Sequence, residues 1–311
     1  MNRFFCFLVF VSFFCFGTFS QSDNVDILLK EGFEKIKKQD YIGSIKDFNK
    51  ALRIKSGIAD AYRGRAEAKY NLGQYDEATR DISKAIELDN MNASAYLIRG
   101  MINLALKNQN DALKDFEKAI GLDNKQLDAI VQKAIILYQT EKEKEAFELI
   151  NKSLEKYSDE AALYYGRGIL YNSKQKYEKA IEDFNKAESL NPDYNPYGIL
   201  IGRGSAYLAE KEYRQAESEF SRAIELYPKS AVAYSSRAKV YYEQERYQEA
   251  IGDYEKSLQI NPDNSATYFN QGMAYYKIND MKNACEKFHK ACSMNNNNAC
   301  KMLLMNCVEK K

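Results

Sequence analysis

The chain has 311 residues, with 45 basic and 44 acidic side chains, so its formal net charge is close to zero. This balance excludes the strong positive field that non-specific binding of DNA, RNA or an anionic membrane depends on. Only 4 Pro and 15 Gly occur beside 24 Tyr and 16 Phe, a composition that argues against disorder and predicts a mostly helical protein.

The first predicted element is a secretory signal over residues 1–20. Its apolar run from Phe4 to Phe16 is shorter than the roughly 20 apolar residues of a membrane-spanning helix. Small residues at Thr18 and Ser20 predict cleavage after Ser20, and the alternative is an uncleaved anchor. We therefore expect export to the periplasm or outer envelope of a Gram-negative bacterium, with no membrane span after cleavage.

The remainder of the chain repeats itself. A small residue recurs every 34 residues, except for one interval of 36 at the sequence NPDYNP in residues 191–196. These register residues are Ser44, Ala78, Ala112, Ala146, Ala180, Ala216, Ala250 and Ala284. After a short segment (21–24), the register predicts eight units: 25–58, 59–92, 93–126, 127–160, 161–196, 197–230, 231–264 and 265–298.

Each unit is predicted to form two helices. In residues 231–264, the apolar residues from Tyr247 to Leu258 recur at i, i+3, i+4, i+7 and i+11, which places them on one helix face. Pro262 then disfavours helix at the residue before it. A single helical hairpin cannot bury its apolar face, so the units are expected to stack as a solenoid.

A 34-residue helix–turn–helix unit with this spacing resembles the tetratricopeptide repeat family. The residues that carry the resemblance in two of the units are Tyr62, Ala66, Tyr75, Ala78, Ala85 and Leu88, and Tyr234, Ala238, Tyr241, Tyr247, Ala250, Tyr254 and Pro262. The resemblance implies an all-α, right-handed superhelical solenoid of about eight units with a C-terminal capping helix. Departures occur at Lys35 and Ser44 in the first unit and at Ser153 in the fourth.

Motifs for catalysis are not found in the sequence. The single histidine, His289, lies on the polar side of a predicted helix, and no nucleotide-binding glycine motif follows a strand. We therefore predict that the protein is not an enzyme and uses no cofactor or metal.

The family resemblance implies a concave surface that is lined by the first helix of each unit and takes peptides or partner proteins. The inward positions, carried over by register, are Arg63, Glu67, Tyr70, Asn71, Tyr138, Tyr165, Asn172, Lys239, Tyr242, Phe269 and Tyr276. Tyrosine offers a large amphipathic contact area at low entropic cost, although the same tyrosines are equally expected to pack one repeat on the next.

Three functions remain open at this stage. The leading hypothesis is an exported, non-catalytic scaffold for an unidentified protein or peptide. The alternatives are a subunit that binds carbohydrate or another small ligand in the tyrosine-lined groove, and a purely structural assembly protein.

Five units carry an arginine that is followed 16 residues later by an acid. The pairs are Arg65/Asp81, Arg99/Asp115, Arg167/Asp183, Arg203/Glu219 and Arg237/Asp253. We expect each pair to meet, partly buried, between the two helices of its unit, and the acid also to approach the arginine of the following unit. Coincidental surface charge is the alternative.

Residues 299–311 predict a further helix and a wet, Lys-rich tail, with Met302, Leu303 and Val308 closing the core at the end of the stack. Four cysteines lie in the last thirty residues, with Cys285 and Cys292 on the preceding predicted helix and Cys300 and Cys307 on this one. An even number in an exported chain predicts disulfides. Residues that meet across a hairpin have a constant sum of residue numbers, so the expected bridges are Cys292–Cys300 and Cys285–Cys307. A metal site with His289, or reduced thiols, are the alternatives.

Overall fold

The structure is a computed structural model that describes residues 21–307. The predicted signal, residues 1–20, and Val308 of the predicted cap lie outside this range. Seventeen helices form the described part: α1 (Gln21–Lys37), α2 (Tyr41–Ile54), α3 (Ala59–Asn71), α4 (Tyr75–Leu88), α5 (Ala93–Ala105), α6 (Gln109–Leu122), α7 (Leu127–Gln139), α8 (Glu143–Lys156), α9 (Ala161–Ser173), α10 (Tyr177–Leu190), α11 (Pro196–Ala209), α12 (Tyr213–Leu226), α13 (Ala231–Glu243), α14 (Tyr247–Ile260), α15 (Ser265–Lys277), α16 (Met281–Ser293) and α17 (Asn297–Asn306).

The helices fall into two compact units that divide between Gln126 and Leu127. The first unit contains three helical hairpins, from α1/α2 to α5/α6, and the second contains five, from α7/α8 to α15/α16, followed by α17. The predicted all-α fold of stacked hairpins is confirmed. Helix α1 begins at Gln21, so residues 21–24 belong to the first helix rather than to a separate segment. None of the helices in residues 21–307 is long and apolar enough to span a membrane.

Every hairpin turns in the same way. One residue between its two helices adopts a left-handed backbone conformation, with φ between 59° and 74°. These residues are Gln39, Gly73, Lys107, Glu141, Gln175, Lys211, Glu245 and Asn279. The backbone N–H groups that follow bond back to the last turn of the first helix, which satisfies carbonyls that a helix end leaves without partners.

One large side chain in the second helix of each hairpin is completely enclosed. It stands at the same register position in all eight hairpins, and at most 2% of it is exposed. The eight residues are Phe48, Ile82, Phe116, Ile150, Phe184, Phe220, Tyr254 and Phe288. We call this position the wedge, because its side chain lies between closely approaching helices.

The residue 16 positions before the wedge matches it in size. All five phenylalanine wedges face a glycine, and a Cβ built on that glycine would lie 2.5–2.9 Å from the ring. Where the wedge is Ile82 or Ile150, the facing position is Ala66 or Ala134 instead. Tyr254 is the exception, because alanine stands at its facing position. The wedge also contacts the following hairpin: a Cβ on Gly202 would lie 2.5 Å from the ring of Phe184.

Two disulfides join α17 to α16. Cys285 bonds to Cys307, with their Cα atoms 5.6 Å apart, and Cys292 bonds to Cys300, with their Cα atoms 4.7 Å apart. This is the predicted connectivity. Since all four sulfur atoms are used in these bonds and His289 is exposed on α16, the alternatives of a metal site and of reduced thiols do not describe this structure.

The last helix covers the end of the second unit only in part. Met302 and Leu303 pack against the cluster around Phe288, as predicted for a cap. On the other side of α17, Leu304 and Met305 are more than 70% exposed. The helix has a short contact face, so the two disulfides account for much of its attachment.

We predict that Gly100→Ala destabilises the protein by about 1–3 kcal/mol, because the new Cβ would lie 2.5 Å from the Phe116 ring and overpack the core. The matched control is Gly121→Ala in the neighbouring helix α6, where no atom lies within 4 Å of the new Cβ. That variant should gain about 0.5–1 kcal/mol from helix propensity. Urea unfolding followed by circular dichroism measures both, and equal shifts in the two variants would contradict the wedge.

We predict that each disulfide stabilises the protein by about 3 kcal/mol, with the larger effect for Cys285–Cys307, because it closes the longer loop. The comparison uses the double variants Cys285→Ser/Cys307→Ser and Cys292→Ser/Cys300→Ser in thermal melts with and without reductant. Oxidised wild type should melt highest, and reductant should not change a variant that lacks all four thiols. Identical melting of oxidised and reduced wild type would contradict the prediction.

Candidate functional site

In the first unit, the predicted groove residues are engaged within the protein. Arg63 lies over the Phe33 ring, 4.6 Å from its centroid, and its Nη2 lies 3.0 Å from Asp60. Tyr70 packs on Tyr75, and Asn71, although exposed, donates from Nδ2 to a backbone carbonyl of its own helix. Burial raises the pKa of Glu67, which the charge of Arg63 partly offsets. These contacts lie within one hairpin, except for that of Arg63 with Phe33 of the preceding hairpin.

Several predicted groove residues of the second unit are also engaged internally. Tyr138 packs edge-on against Phe147, and Tyr276 joins the cluster around Phe288. Asn172 donates from Nδ2 to the Gly202 carbonyl at 2.8 Å, which links α9 to α11. For these positions the alternative of structural packing describes the contacts.

Tyr165 is covered by the two-residue insertion that the sequence places in residues 191–196. The ring of Tyr194 lies 5.8 Å from that of Tyr165, and the Tyr194 hydroxyl donates to Asp128 Oδ1 at 2.7 Å. Burial is the main cause that raises the pKa of Tyr194. The chain thus places its own Tyr194 side chain on the inner surface at α7 and α9, where it covers part of Tyr165.

The remaining three predicted groove residues, Lys239, Tyr242 and Phe269, meet at an open cleft between α13 and α15. This cleft, here cleft B, has a volume of about 210 Å³. Its lining is completed by Glu243, Tyr254, Asn270 and Met273. The wall is therefore mostly aromatic and apolar, with a lysine, a glutamate and an amide at its polar positions.

A second cleft, here cleft A, lies between α11 and α13 and has a volume of about 340 Å³. Lys239 and Glu243 line it as well, so the two clefts adjoin along α13. The other lining residues are Ser205, Leu208, Ala209, Lys211, Tyr213, Phe220 and Ser236. Clefts A and B form the candidate site for a partner.

Sequence reasoning missed most of this lining, including Glu243, Tyr254 and Asn270. Tyr254 did carry a usable signal, because it is the only wedge among the eight hairpins with a hydroxyl group. Ser236 and Asn270 carried a second signal in the sequence. They are polar residues at the register position where Gly202 packs against the ring of Phe184, the wedge of the preceding hairpin.

The structure brings all five arginine–acid pairs together, each between the two helices of its own hairpin. The shortest N···O distances are 2.5 Å for Arg65–Asp81, 2.6 Å for Arg99–Asp115, 2.8 Å for Arg167–Asp183, 2.7 Å for Arg203–Glu219 and 2.7 Å for Arg237–Asp253. Coincidental surface charge therefore does not describe these residues.

The burial of the acids differs from the expectation that the pairs are only partly buried. All five acids are buried, with exposed fractions of 6% for Asp81, 4% for Asp115, 5% for Asp183, 8% for Glu219 and 8% for Asp253. The reason is their position: each acid directly precedes the wedge and shares its inward direction, on a side chain too short to reach solvent. The longer arginine stems place most of the guanidinium groups nearer the surface.

Each carboxylate is held by more than one donor. Arg167 binds both oxygens of Asp183, from Nε and Nη2 at 2.8 Å each, and this hydrogen bonding raises the pKa of Arg167. Asp81 also pairs with Lys69 at 3.0 Å, and Asp115 accepts from Asn103 Nδ2 at 3.0 Å. Bidentate contacts of this kind fix the angle between the two helices as well as their separation.

Asp253 shows the same arrangement beside cleft B. Arg237 donates to it from Nε at 2.7 Å and from Nη2 at 3.0 Å. Asp253 immediately precedes the wedge Tyr254, so this ion pair helps to hold the floor of the cleft in place.

The expected approach of each acid to the arginine of the following unit is wrong. Among the described residues, Asp81 makes no ion pair with Arg99, nor does Asp183 with Arg203. The units after Asp115 and Asp253 carry no arginine at that position. Each carboxylate points toward its own hairpin. There its two oxygens accept hydrogen bonds either from one guanidinium alone or from that guanidinium and a neighbouring donor.

In four of the five pairs the arginine also bonds to a side-chain amide or hydroxyl of the preceding hairpin. That acceptor stands two residues after the position which the register acid occupies in its own hairpin. The observed pairs are Arg65 with Asn49, Arg167 with Asn151, Arg203 with Asn185 and Arg237 with Ser221, at 2.6–3.1 Å. A neutral acceptor completes the guanidinium's hydrogen bonds without adding charge.

Units that lack the arginine use other partners. In the first, Asp47 pairs with Lys35, the residue that departs from the family pattern. In the last, buried Gln271 donates to the Ile251 carbonyl at 3.3 Å.

Arg203 is the most deeply buried of the five arginines. It is only 4% exposed and binds Glu188 as well as Glu219. Its hydrogen bond is the main cause that lowers the pKa of Glu188. The most buried of the five guanidinium groups, that of Arg203, is thus paired with two carboxylates instead of one.

Family models described as tetratricopeptide repeat match residues 58–126, 161–194, 197–230, 231–264 and 265–298, together about two thirds of the chain. The chain belongs to the tetratricopeptide-repeat family. The predicted family is confirmed, and Asn195 and Pro196 of the insertion fall between two matches. A search of curated protein sequences finds no significant match.

Two solved structures share the fold of this tetratricopeptide-repeat protein. The crystal structure of the APC/C hetero-tetramer Cut9–Hcn1 aligns with a TM-score of 0.75 at 16% identity, over 94% of this chain and 57% of that one. The structure of yeast Tom70 aligns with a TM-score of 0.59 at 21% identity, over 93% of this chain and 59% of that one. This chain therefore spans less than two thirds of either relative, and the likeness concerns the fold alone.

We predict that Asp183→Asn destabilises the protein by about 1–3 kcal/mol, because it leaves the half-buried Arg167 without its counter-charge. The control is Glu182→Gln, which removes the adjacent exposed acid and should change stability by less than about 0.5 kcal/mol. Replacing Arg167 and Asp183 together by leucine should recover part of the loss. Equal urea-unfolding midpoints for Asp183→Asn and wild type would contradict a structural role for the pair.

Proposed function

We propose that this tetratricopeptide-repeat protein is an exported, non-catalytic scaffold that holds a segment of a partner protein in clefts A and B, within the bacterial cell envelope. The observation that carries the proposal is the pair of adjoining clefts along α13, which expose aromatic and apolar walls that the chain's own side chains do not fill. Members of the family bind proteins or peptides, and interface centres are enriched in tyrosine.

The contrast between the two ends of the second unit supports this location. At α7 and α9 the chain places Tyr194 on its inner surface, whereas at α11–α15 the equivalent surface stays open. A partner that uses this face therefore meets α11, α13 and α15. The export part of the proposal rests on the apolar run of residues 4–16 and on the two disulfides, which persist in oxidising compartments.

Site-specific photo-crosslinking in a Gram-negative host tests the binding site. A photoreactive phenylalanine replaces Tyr242 in cleft B, and the matched control places it at exposed Lys256 on α14 of the same hairpin. We expect a discrete protein adduct from position 242 and none from position 256. Equal adducts at both positions, or none at either, would overturn the proposed site, whereas an adduct of saccharide would support the carbohydrate-binding alternative.

Export is tested on the same cells by fractionation and mass spectrometry. The mature protein should be recovered from the periplasmic or outer-envelope fraction with Gln21 as its first residue and both disulfides formed. Cytosolic protein that retains Met1 and has four free thiols would contradict export. The proposed binding site would then still be tested independently by the crosslinking experiment.

A further inference from the structure

The junction between the fourth and fifth hairpins is packed differently from the other junctions inside each unit. At those junctions, the second helix of one hairpin makes the main contact with the first helix of the next. Here α8 makes few backbone contacts with α9, and α7 packs directly on α9. The first helix of the fourth hairpin thus makes a contact that the second helix makes elsewhere.

Two other junctions show what the usual contact is. Gly64 on α3 packs against the ring of Phe48, the wedge of the preceding hairpin, and Gly202 on α11 packs in the same way against the wedge Phe184. The two glycines stand at the same register position. We call this arrangement, with the preceding wedge against that position, the standard docking.

Gly166 on α9 stands at the same register position as these two glycines, but it has a different neighbour. A Cβ built on Gly166 would lie 2.7 Å from Cγ2 of Val131 on α7, and its three nearest atoms all belong to Val131. Val131 therefore lies where the register would place the wedge Ile150. We call this arrangement the shifted docking.

The insertion loop, residues 191–195, connects α7 to this junction. It has five residues, whereas the other loops between consecutive hairpins in the described chain have four. The hydroxyl of Tyr194 donates to Asp128 Oδ1 in the first turn of α7 at 2.7 Å, and its ring packs on Tyr165 of α9. The backbone N–H of Tyr194 donates to the Asn191 carbonyl at 3.1 Å, so a turn within the loop positions this side chain.

The same loop is fixed to α11. Asn195 Oδ1 accepts a hydrogen bond from the backbone N–H of Gly198 at 3.1 Å and so caps α11. A Cβ on Gly198 would lie 2.5 Å from the Tyr165 hydroxyl oxygen, which shows how closely α9 approaches this turn. Since α7, α9 and α11 all meet this loop, a movement of α7 away from α9 would separate Asp128 from Tyr194.

The side chains at this junction are also compatible with the standard docking. The second hairpin has an isoleucine wedge as well, and its Ile82 shares a buried cluster with Ile98, which stands at the register position of Gly166. An isoleucine wedge therefore packs at this position without a bulky ring. Arg167 already bonds to Asn151 of the preceding hairpin at 3.1 Å, as the arginines of other junctions do, so this contact is common to both dockings.

We propose that the insertion loop is a conformational lock: Tyr194, through Asp128, holds the fourth hairpin in the shifted docking, and breaking this contact lets the hairpin move to the standard docking, with Ile150 against Gly166. Packed helices change between discrete arrangements rather than continuously, which makes two dockings the expected outcome. Release also withdraws Tyr194 from Tyr165 and enlarges the free inner surface of α9. The inference does not depend on the proposed function.

Pulsed electron paramagnetic resonance on the mature chain measures the docking directly. Spin labels on p-acetylphenylalanine replace exposed residues at register-equivalent positions of three second helices: Lys144 on α8, Glu178 on α10 and Arg214 on α12. The 144–178 pair reports the junction in question, and the 178–214 pair reports a standard docking. We expect the two mean distances to differ in the wild-type chain, and equal distances would overturn the shifted docking.

Variants of Tyr194 test the lock. Tyr194→Phe removes the hydrogen bond and keeps the ring, whereas Tyr194→Ala removes both contacts. We expect a second 144–178 population at the 178–214 distance, minor in the first variant and major in the second. The control is Tyr197→Phe, whose hydroxyl bonds to Ser230 at the next junction, and it should leave the 144–178 distance unchanged. An unchanged distance in Tyr194→Ala, or a broadened distribution without a second population, would overturn the lock.

Gly166→Ala tests the same equilibrium from the other side, with Tyr194 intact. The new Cβ would overlap Val131 and disfavour the shifted docking, so the 144–178 distance should move to the 178–214 value. Gly166→Ala combined with Val131→Ala should restore the wild-type distance. A wild-type distance in Gly166→Ala alone would show that the contact with Val131 does not define the docking and would contradict the proposal. Circular dichroism melts establish that each variant is folded, and Tyr194→Phe, which loses one exposed hydrogen bond, keeps the lock testable if Gly166→Ala is unstable.

Discussion

The stack depends on a single packing constraint: one large side chain per hairpin lies between helices that approach too closely for anything but a small residue opposite it. At Phe116, glycine is required, because even a methyl group on Gly100 would collide with the ring. The same ring in the fifth hairpin, Phe184, meets Gly202 of the next hairpin. At Phe184, one ring thus sets both the distance within its hairpin and the distance to the next hairpin.

Charge adds direction to this packing. A wedge side chain fixes the distance between two helices but does not fix the angle between them. The bidentate contact of Arg167 with Asp183 fixes that angle. The third nitrogen of the same guanidinium reaches Asn151 on the preceding hairpin. An arginine of this kind therefore relates two consecutive hairpins. The price is a carboxylate held away from water, which is tolerable because its hydrogen bonds are nearly all satisfied.

The fold, the arginine–acid pairs and the disulfides could be predicted from the sequence, because each depends on a short interval that recurs or on one hairpin. The pairing of Cys285 with Cys307 followed from helix geometry alone. The depth of the acids did not follow, because an interval of 16 residues gives a partner such as Asp115 but not its distance from solvent.

The groove could not be predicted in the same way. The repeat register shows which positions face inward, but it does not show whether a neighbouring side chain covers them. Tyr165 is an example, because Tyr194 of the insertion loop packs against it. Tyr254 was missed because buried wedge positions were assigned wholly to the core.

The contact that the wedge Phe184 makes with Gly202 of the next hairpin has a consequence for how such a chain changes over time. Part of the packing of such a hairpin depends on its neighbour. A duplicated or transplanted hairpin therefore brings a facing residue that was fitted to a different side chain. Gly202 suits the phenylalanine before it, and Asn270 stands where the preceding wedge is a tyrosine. At this junction, a hairpin inserted after α10 would have to bring its own small residue against the Phe184 ring.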